Sequence, residues 1–567
     1  MTSSARDEST GPDRPEEAAG AGFHAPVAVA TGPADRPGPQ PDTVVVPADE
    51  DPVAAAGSEV FGGPPGRRAL LGVSWWIPAR FLALAVILTS VLGMMQKLPC
   101  YEGGWFQAGS PQYVHACYSD IPHLFTGRGF ADGLHPYVDK IPQGSPDMQY
   151  LEYPVLTGLF MQVAAWLTPG GGTGQQQEQW FWVINAGLLM ACAVVAVVAI
   201  SRTHRRRPWD ALLFALAPCL ALNSTINWDL LAVALAAVAL ACWSNSKAVL
   251  AGVFIGLATA AKLYPVLLLG PLLVLCWRAG RWREFGQALG GAVAAWLLVN
   301  VPIMLANFDG WATFYTFSKH RKEDFGSFWV ILMQNRGVGL ENLDTYIALL
   351  LVLCALAIGW LALSAPRRPR LAQLGFLIVA AFVVTNKVYS PQYVLWLIPL
   401  AVLARPRWRD FLVWQACEVL YTLGIWSHLG FVTGGKQHGI GDSWYHFAVA
   451  LHLLGTLYLC AVIVRDILLP DRDPVRWDGS DDPSGGVLDG APDVFVLGSA
   501  RRLREDATYA AYATGGAEGW LTGPGAAPAD AADEGWLTGP AATPADAAGE
   551  SWAAADLPGL PRPADGR

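Results

Sequence analysis

Between residues 76 and 465 the chain is a succession of apolar runs divided by short polar links. Such a pattern leaves few solutions other than a bundle of helices in a bilayer, where every backbone polar group must be satisfied internally. The runs fall near residues 79–97, 180–200, 209–222, 228–243, 247–261, 263–277, 285–305, 344–363, 371–386, 391–404, 410–427 and 444–464. The expected fold class is therefore an all-α polytopic membrane protein of about twelve transmembrane helices. Several runs are shorter than the roughly 20 residues of a straight crossing, so they are expected to be broken at proline or to border water-filled cavities. The composition agrees, with 53% hydrophobic and only 15% charged residues.

Basic clusters set the expected orientation, because Lys and Arg in short loops stay on the cytoplasmic side. Arg67 and Arg68, Arg202 with Arg205 to Arg207, Arg278 with Arg281 and Arg283, Arg367, Arg368 and Arg370, Arg405 with Arg407 and Arg409, and Arg465 each follow an even number of runs. A multi-pass plasma-membrane protein with both termini cytoplasmic is expected. The alternation requires that the apolar stretch Tyr153 to Leu167 does not cross. It is expected to be an interfacial or re-entrant helix in a long first external loop, residues 98 to 179.

Three segments follow: a disordered cytoplasmic tail over 1–70, a transmembrane domain over 71–470, and a disordered acidic cytoplasmic tail over 471–567. Residues 1–66 hold 11 acidic and 3 basic side chains, residues 471–567 hold 17 and 7, and the whole chain carries −9, which leaves +9 on the membrane part. That excess suits anionic lipids or phosphates. No cleaved signal peptide is expected. The second tail repeats Glu-Gly-Trp-Leu-Thr-Gly-Pro from Glu518 and again from Glu534, a low-complexity pattern expected to be solvated. Asp471 and Asp473, an Asp-x-Asp, fall at its start and are read as solvated with it. Seven of the nine cysteines lie inside apolar runs, where a thiol is a small hydrophobe. Cys100 and Cys117 share the first external loop, where a disulfide would persist.

That loop also holds Asp120-Ile-Pro-His123, Pro136-Tyr137 and Glu152-Tyr153-Pro154-Val155-Leu156, an order that would hold Asp120 at headgroup level. Together with Asn227-Trp-Asp229, Lys262-Leu-Tyr264-Pro265 and Asn386-Lys387-Val-Tyr389-Ser-Pro-Gln392-Tyr393, these motifs give the chain a resemblance to the GT-C glycosyltransferases, and within them to glycosyltransferase family 87. The resemblance covers residues 76 to 465. It implies a GT-C-like bundle whose long first external loop carries interfacial helices, and Asp120 as the catalytic carboxylate. It also implies transfer of a hexose, with mannose the first expectation, from a polyprenyl-phosphate-linked donor to a lipid or glycan acceptor on the extracytoplasmic face. Where the family places His-x-x-Arg-Gly, this sequence reads His320-Arg-Lys-Glu323-Asp324, which departs from the pattern around His320.

Physical reading runs beside the resemblance. Lys262, Lys319, Arg321, Lys322 and Lys387 lie at or near external positions, against the positive-inside trend. A polyprenyl phosphate gains negative charge as its glycosidic bond breaks, so cations aimed at it stabilise the transition state above the ground state. Lys262 and Lys387, each beside a Tyr and a Pro at the end of a run, are the first candidates; snorkelling to the interface explains them equally. Lys319, Arg321 and Lys322 have Glu323 and Asp324 as ready surface partners. Asp120 as general base takes the proton of an attacking hydroxyl, and read blandly it caps the helix that starts at Ile121-Pro122. Glu152 and Asp229 are further acceptor-side candidates or helix-start residues. Tyr264, His320, Tyr389 and Gln392 complete the expected substrate-binding set. Glu418, in mid-run, is expected to make a buried hydrogen bond.

No phosphate-binding Gly-rich loop, dinucleotide fingerprint, Cys-x-x-Cys pair or His-Glu-x-x-His helix occurs. No metal, cofactor or nucleic-acid partner is expected; the partners are membrane lipids, the lipid-linked donor and the acceptor. A rival reading is a secondary transporter or lipid flippase coupled through Lys262, Lys387 and Glu418, which would show repeated halves; no such duplication is visible. A second rival is a scaffold that recruits partners through its tails.

Overall fold

The computed structural model describes residues 44–60, 77–142, 144–145, 148–337, 339–433, 439–477 and 479–498. Arg67 and Arg68, the repeats around Trp520 and Trp536, and the disorder expected of 1–43, 61–70 and 499–567 lie outside the described residues. Among the described residues every regular element is helical.

In chain order the helices are α1 (Pro47–Glu50), α2 (Pro52–Val60), α3 (Pro78–Gln96), α4 (Leu98–Gly103), α5 (Pro111–Val114), α6 (Ile121–Gly127), α7 (Val155–Leu167), α8 (Gly174–Thr203), α9 (Leu212–Ala215) and α10 (Pro218–Asn223). They continue as α11 (Asp229–Ser244), α12 (Ala248–Ala261), α13 (Leu269–Ala279), α14 (Trp282–Ala306), α15 (Phe308–His320), α16 (Phe328–Arg336), α17 (Leu343–Ser364), α18 (Leu371–Thr385), α19 (Val394–Ala404), α20 (Trp408–Thr433) and α21 (Asp442–Leu468). Five of them, α3, α8, α14, α17 and α21, are long and apolar enough to cross a membrane. The run at 209–222 is divided by Pro218 into two short helices, and 3-10 turns beginning at Tyr264-Pro265 and at Pro391 open the runs that continue as α13 and α19. Proline at the first turn sets φ and forfeits no intrahelical bond, so these breaks start new helices.

The centre of the bundle is held by close backbone approach. Gly252 and Gly256 face α14, and a Cβ added at either would sit 1.9 Å from the carbonyl oxygen of Ala288 or 2.2 Å from that of Ala292. Small residues four apart remove the steric stop between two helices, which gains van der Waals contact where lipid supplies no hydrophobic drive.

The long loop between α3 and α8 is cross-linked and pinned to the bundle. Cys100 and Cys117 are joined in a disulfide. Helix α7, with 13 residues, reaches only about 20 Å at 1.5 Å per residue, short of a bilayer's hydrocarbon core. Its Thr157 hydroxyl donates to Ala261 O at 2.6 Å, pinning the loop to the end of α12. Helix α15 is fixed to the same loop: Asn307 Nδ2 donates to Tyr137 O at 2.8 Å, and Gly310 packs so closely on that carbonyl that a Cβ would lie 1.9 Å from it.

The expected tail boundaries need correction at both ends. Asp473 is not solvated; it is fully buried, and Arg370 Nε donates to it at 2.8 Å. Asp493 joins Arg278 at 2.9 Å and Arg368 at 2.8 Å, so residues 470–498 belong to the folded body. At the other end Glu50 pairs with Arg207 at 2.9 Å and Asp51 accepts from Trp408 N at 3.0 Å. The physical reason is the same for both: arginine clusters at one end of the bundle are buried, and a buried charge persists only when paired. Acidic residues that composition assigns to tails supply the partners.

Candidate functional site

A cavity of about 560 Å³ opens where the loop between α3 and α8, the turn before α11, the end of α12, the α15–α16 link and α20 meet. Asp120 lies in its wall. The backbone N–H of Asp120 donates to Ile226 O at 2.8 Å, and the Ser119 hydroxyl donates to Thr225 O at 2.6 Å, so the segment is bolted to the turn before α11. The side chain receives the Tyr118 hydroxyl on one oxygen at 2.5 Å and Asn227 Nδ2 on the other at 3.2 Å. It makes no side-chain hydrogen bond to the start of α6, so the capping role open to it in the sequence is not the one it takes. Burial pushes its pKa above the ordinary carboxylate value, while the bonds from Tyr118 and Asn227 and the Lys262 charge pull it back.

Lys262 reaches the same cavity from the end of α12, where the backbone turns extended. Its ammonium pairs with Asp229 at 3.1 Å and lies 5.8 Å from the centre of the Tyr153 ring and 5.9 Å from that of Trp396. Asp229 is fully buried and receives Trp396 Nε1 at 2.7 Å, which fixes the direction from which the lysine is held. Two arginines complete the positive lining. Arg128 is gripped by Glu152, with Nε donating at 2.8 Å, and Arg321 pairs with Asp324. Each cation is therefore oriented by a carboxylate, with the head group presented to one space.

The expected site residues divide. Asp120, Lys262, Glu152 and Gln392 line the cavity, and Asp229 stands directly behind Lys262. Four do not reach it. Lys387 turns away, its ammonium paired with Asp344 at 2.6 Å and donating to Lys319 O at 3.1 Å. His320 is exposed at the end of α15; the adjacent Arg321, one residue on, lines the cavity instead. Tyr264 is buried in a stack on Trp396 with centroids 4.6 Å apart. Tyr389 is buried too, within 3.2 Å of the Thr456 hydroxyl. The extended segment around residues 386–390 turns Lys387 and Tyr389 off the cavity, and only Ser390 to Tyr393 return to it.

Tyr118, Arg128, Tyr153, Asn227, Arg321 and Asp324 are cavity residues to which sequence reasoning assigned no definite role. Asn227 carried a signal, standing two residues before Asp229 in a motif already singled out. Glu418 is buried as expected: its carboxylate receives Trp414 Nε1 at 3.0 Å and the Thr456 hydroxyl at 3.1 Å, and lies 2.7 Å from His452 Nδ1. Lys262, Lys387 and Glu418, the three groups a coupled transporter would use, do not share the cavity.

Fold and cavity together define a helical membrane protein with a polar chamber at one end of its bundle. Residues 150–385 match the model of glycosyltransferase family 87. The matched segment contains Glu152, Asp229 and Lys262, while Asp120 precedes it and Gln392 follows it. No curated protein matches the chain. Among solved structures it is similar to the oligosaccharyltransferase of Archaeoglobus fulgidus in its apo form, at 11% identity and a TM-score of 0.33, over 73% of this chain and 57% of that one. It is also similar to that enzyme tethered to an acceptor peptide containing the NVT sequon, at 11% identity and a TM-score of 0.29, over 68% and 55% of the two chains. This chain thus spans a little over half the length of those proteins.

Proposed function

We propose that the protein is a membrane glycosyltransferase that moves a hexose, with mannose the first candidate, from a polyprenyl-phosphate-linked donor to a lipid or glycan acceptor on the extracytoplasmic face. One observation carries the reading: Asp120 and Lys262, more than a hundred residues apart in sequence, meet in the wall of one cavity with Arg128 and Arg321.

In this reading an acceptor hydroxyl sits within hydrogen-bond reach of the Asp120 carboxylate. Its oxygen attacks the anomeric carbon and its proton passes to Asp120. The bond between the anomeric carbon and the phosphate oxygen breaks, and the electron pair stays on the phosphate. Lys262, with Arg128 and Arg321 beside it, offsets the charge that develops there. A single displacement of this kind needs no covalent enzyme intermediate and inverts the anomeric centre. Tyr118 and Asn227 orient the base; Asp229 and Glu152 orient the cations. His320 and Lys387 have no part in it.

The test is transfer from synthetic polyprenyl-phosphate sugars by the purified full-length protein in detergent or vesicles. Asp120→Asn is expected to lower the rate by about 10²- to 10⁴-fold, and an undiminished rate removes Asp120 as base.

A further inference from the structure

The cavity wall has two chemically distinct parts. Lys262, Tyr153 and Tyr393 stand against the main apolar core of the bundle. A second, separate apolar cluster, containing Ile226, Ile425 and Trp426, forms another part, and Tyr113, Tyr118 and Phe325 pack on it. Within this second part three aromatic rings are nearly parallel. Tyr118 and Trp426 are 4.5 Å apart at 22°, Tyr113 and Tyr118 5.7 Å at 10°, and Tyr113 and Trp426 6.2 Å at 15°. All three line the cavity. The indole N–H of Trp426 is buried and has no acceptor among the described residues. The Tyr118 hydroxyl is bonded to Asp120, so the aromatic surface is joined directly to the proton acceptor.

This combination selects among ligand chemistries. An aromatic face is electron-rich and repels a phosphate or carboxylate. An acyl chain would gain nothing from a carboxylate or a bare N–H at its side. A pyranose ring suits the aromatic face and the carboxylate together: axial C–H groups present weakly positive hydrogens to an aromatic face, and equatorial hydroxyls reach outward to Asp120 beside it. The donor sugar is tethered to its phosphate and belongs with the cations of the other wall part. We propose that Tyr113, Tyr118 and Trp426 form the binding platform for a terminal pyranose ring of the acceptor, which makes the acceptor a glycan or glycolipid with a ring hydroxyl directed at Asp120. The role as acceptor rests on the transferase reading; the binding does not. In the transfer step that hydroxyl oxygen forms the new glycosidic bond and its proton goes to Asp120.

Saturation-transfer difference NMR on the full-length protein, without donor, tests the platform with methyl α-mannopyranoside and methyl β-glucopyranoside as probes and sorbitol as an acyclic control. Saturation is expected on the C–H groups of one ring face, with sorbitol at least fivefold weaker. Tyr113→Ala is expected to weaken pyranoside binding about fivefold, the value of roughly one stacking contact, and Tyr113→Phe to restore it. Equal saturation of sorbitol and pyranosides, saturation spread evenly around the ring, or binding indifferent to Tyr113→Ala overturns the proposal. The wild-type saturation pattern decides the matter even where a variant fails to fold. Pyranoside binding without any transfer from polyprenyl-phosphate sugars refutes the transferase reading alone, and transfer to sorbitol as fast as to a pyranoside refutes the platform alone.

Discussion

Replacing Asn227 by alanine tests the tuning of the proposed base more sharply than removing the base itself. Asn227 Nδ2 donates to one oxygen of Asp120 at 3.2 Å and to the Tyr153 hydroxyl at 3.0 Å. A hydrogen bond to a charged group contributes about 1.5–3 kcal/mol, and one pKa unit corresponds to about 1.4 kcal/mol. The bond favours the ionised carboxylate, so its loss raises the Asp120 pKa. Burial already holds that pKa above the ordinary value, so the acid limb of kcat/KM in the wild type lies above the usual carboxylate range. In Asn227→Ala the limb moves further up, with a large loss of rate below it and a smaller one on the plateau. Asn227 Oδ1 also accepts Trp228 N at 2.6 Å, so the variant loses some stability, and a melting curve at each pH must accompany the rates. The assay is transfer from a polyprenyl-phosphate sugar as a function of pH. A uniform loss with an unmoved limb, or a limb that moves down, refutes Asp120 as the ionising base.

Four further outcomes are expected. Asp120→Asn should lower transfer by about 10²- to 10⁴-fold while leaving the melting temperature at pH 7 equal or higher: a folded-state pKa above the unfolded one means that Asp120 costs stability once ionised, and the gain of the variant should vanish below about pH 3.9, where the unfolded Asp is itself protonated. Lys262→Met should lower kcat strongly, whereas Lys387→Met should leave kcat within about threefold, because only the first lines the cavity; equal effects would overturn the division of roles. Cys100→Ser should cost about 3 kcal/mol by chain entropy for a bridge separated by 17 residues, read as a lower melting temperature that reductant reproduces in the wild type. Asp473→Asn should cost about 3–5 kcal/mol by stranding the buried Arg370, and deletion of 471–567 should destabilise the protein where deletion of 506–567 does not.

How far the chain could be read in advance follows from which interactions are local. The helices were legible because hydropathy and proline act within a run: the apolar stretch at 228–243 became α11 and that at 371–386 became α18, each within a residue or two. The loop helix at Val155–Leu167 was legible as a helix because one uninterrupted apolar run spans it. The folded portion of the C-terminal segment was not. Asp473 and Asp493 look like solvated charge until Arg370, Arg278 and Arg368 are seen buried at the same end of the bundle, and that is a property of packing between segments roughly a hundred or more residues apart.

The two lysines show the same limit inside the site. Lys262 and Lys387 look alike in sequence, each flanking a Tyr and a Pro at the edge of an apolar run, and the distinction between them lies in what stands behind each. Behind Lys262 is Asp229, fully buried, its carboxylate locked by the Trp396 indole, so the ammonium is pulled inward and held among aromatic faces. The carboxylate near Lys387 is Asp344, more than half exposed, and it draws that ammonium out of the site. A buried counter-ion orients a cation far more strongly than an exposed one, since the exposed pair is screened by water. The difference predicts that exchanging the counter-ions exchanges the outcome: Asp229→Asn, which keeps a hydrogen-bond acceptor for Trp396, should release Lys262 and cost transfer at unchanged melting temperature, while Asp344→Asn should leave transfer as it was. Transfer rates of the two variants at saturating donor measure this directly, and equal losses would show that charge in the neighbourhood, rather than a held ammonium, is what the reaction uses.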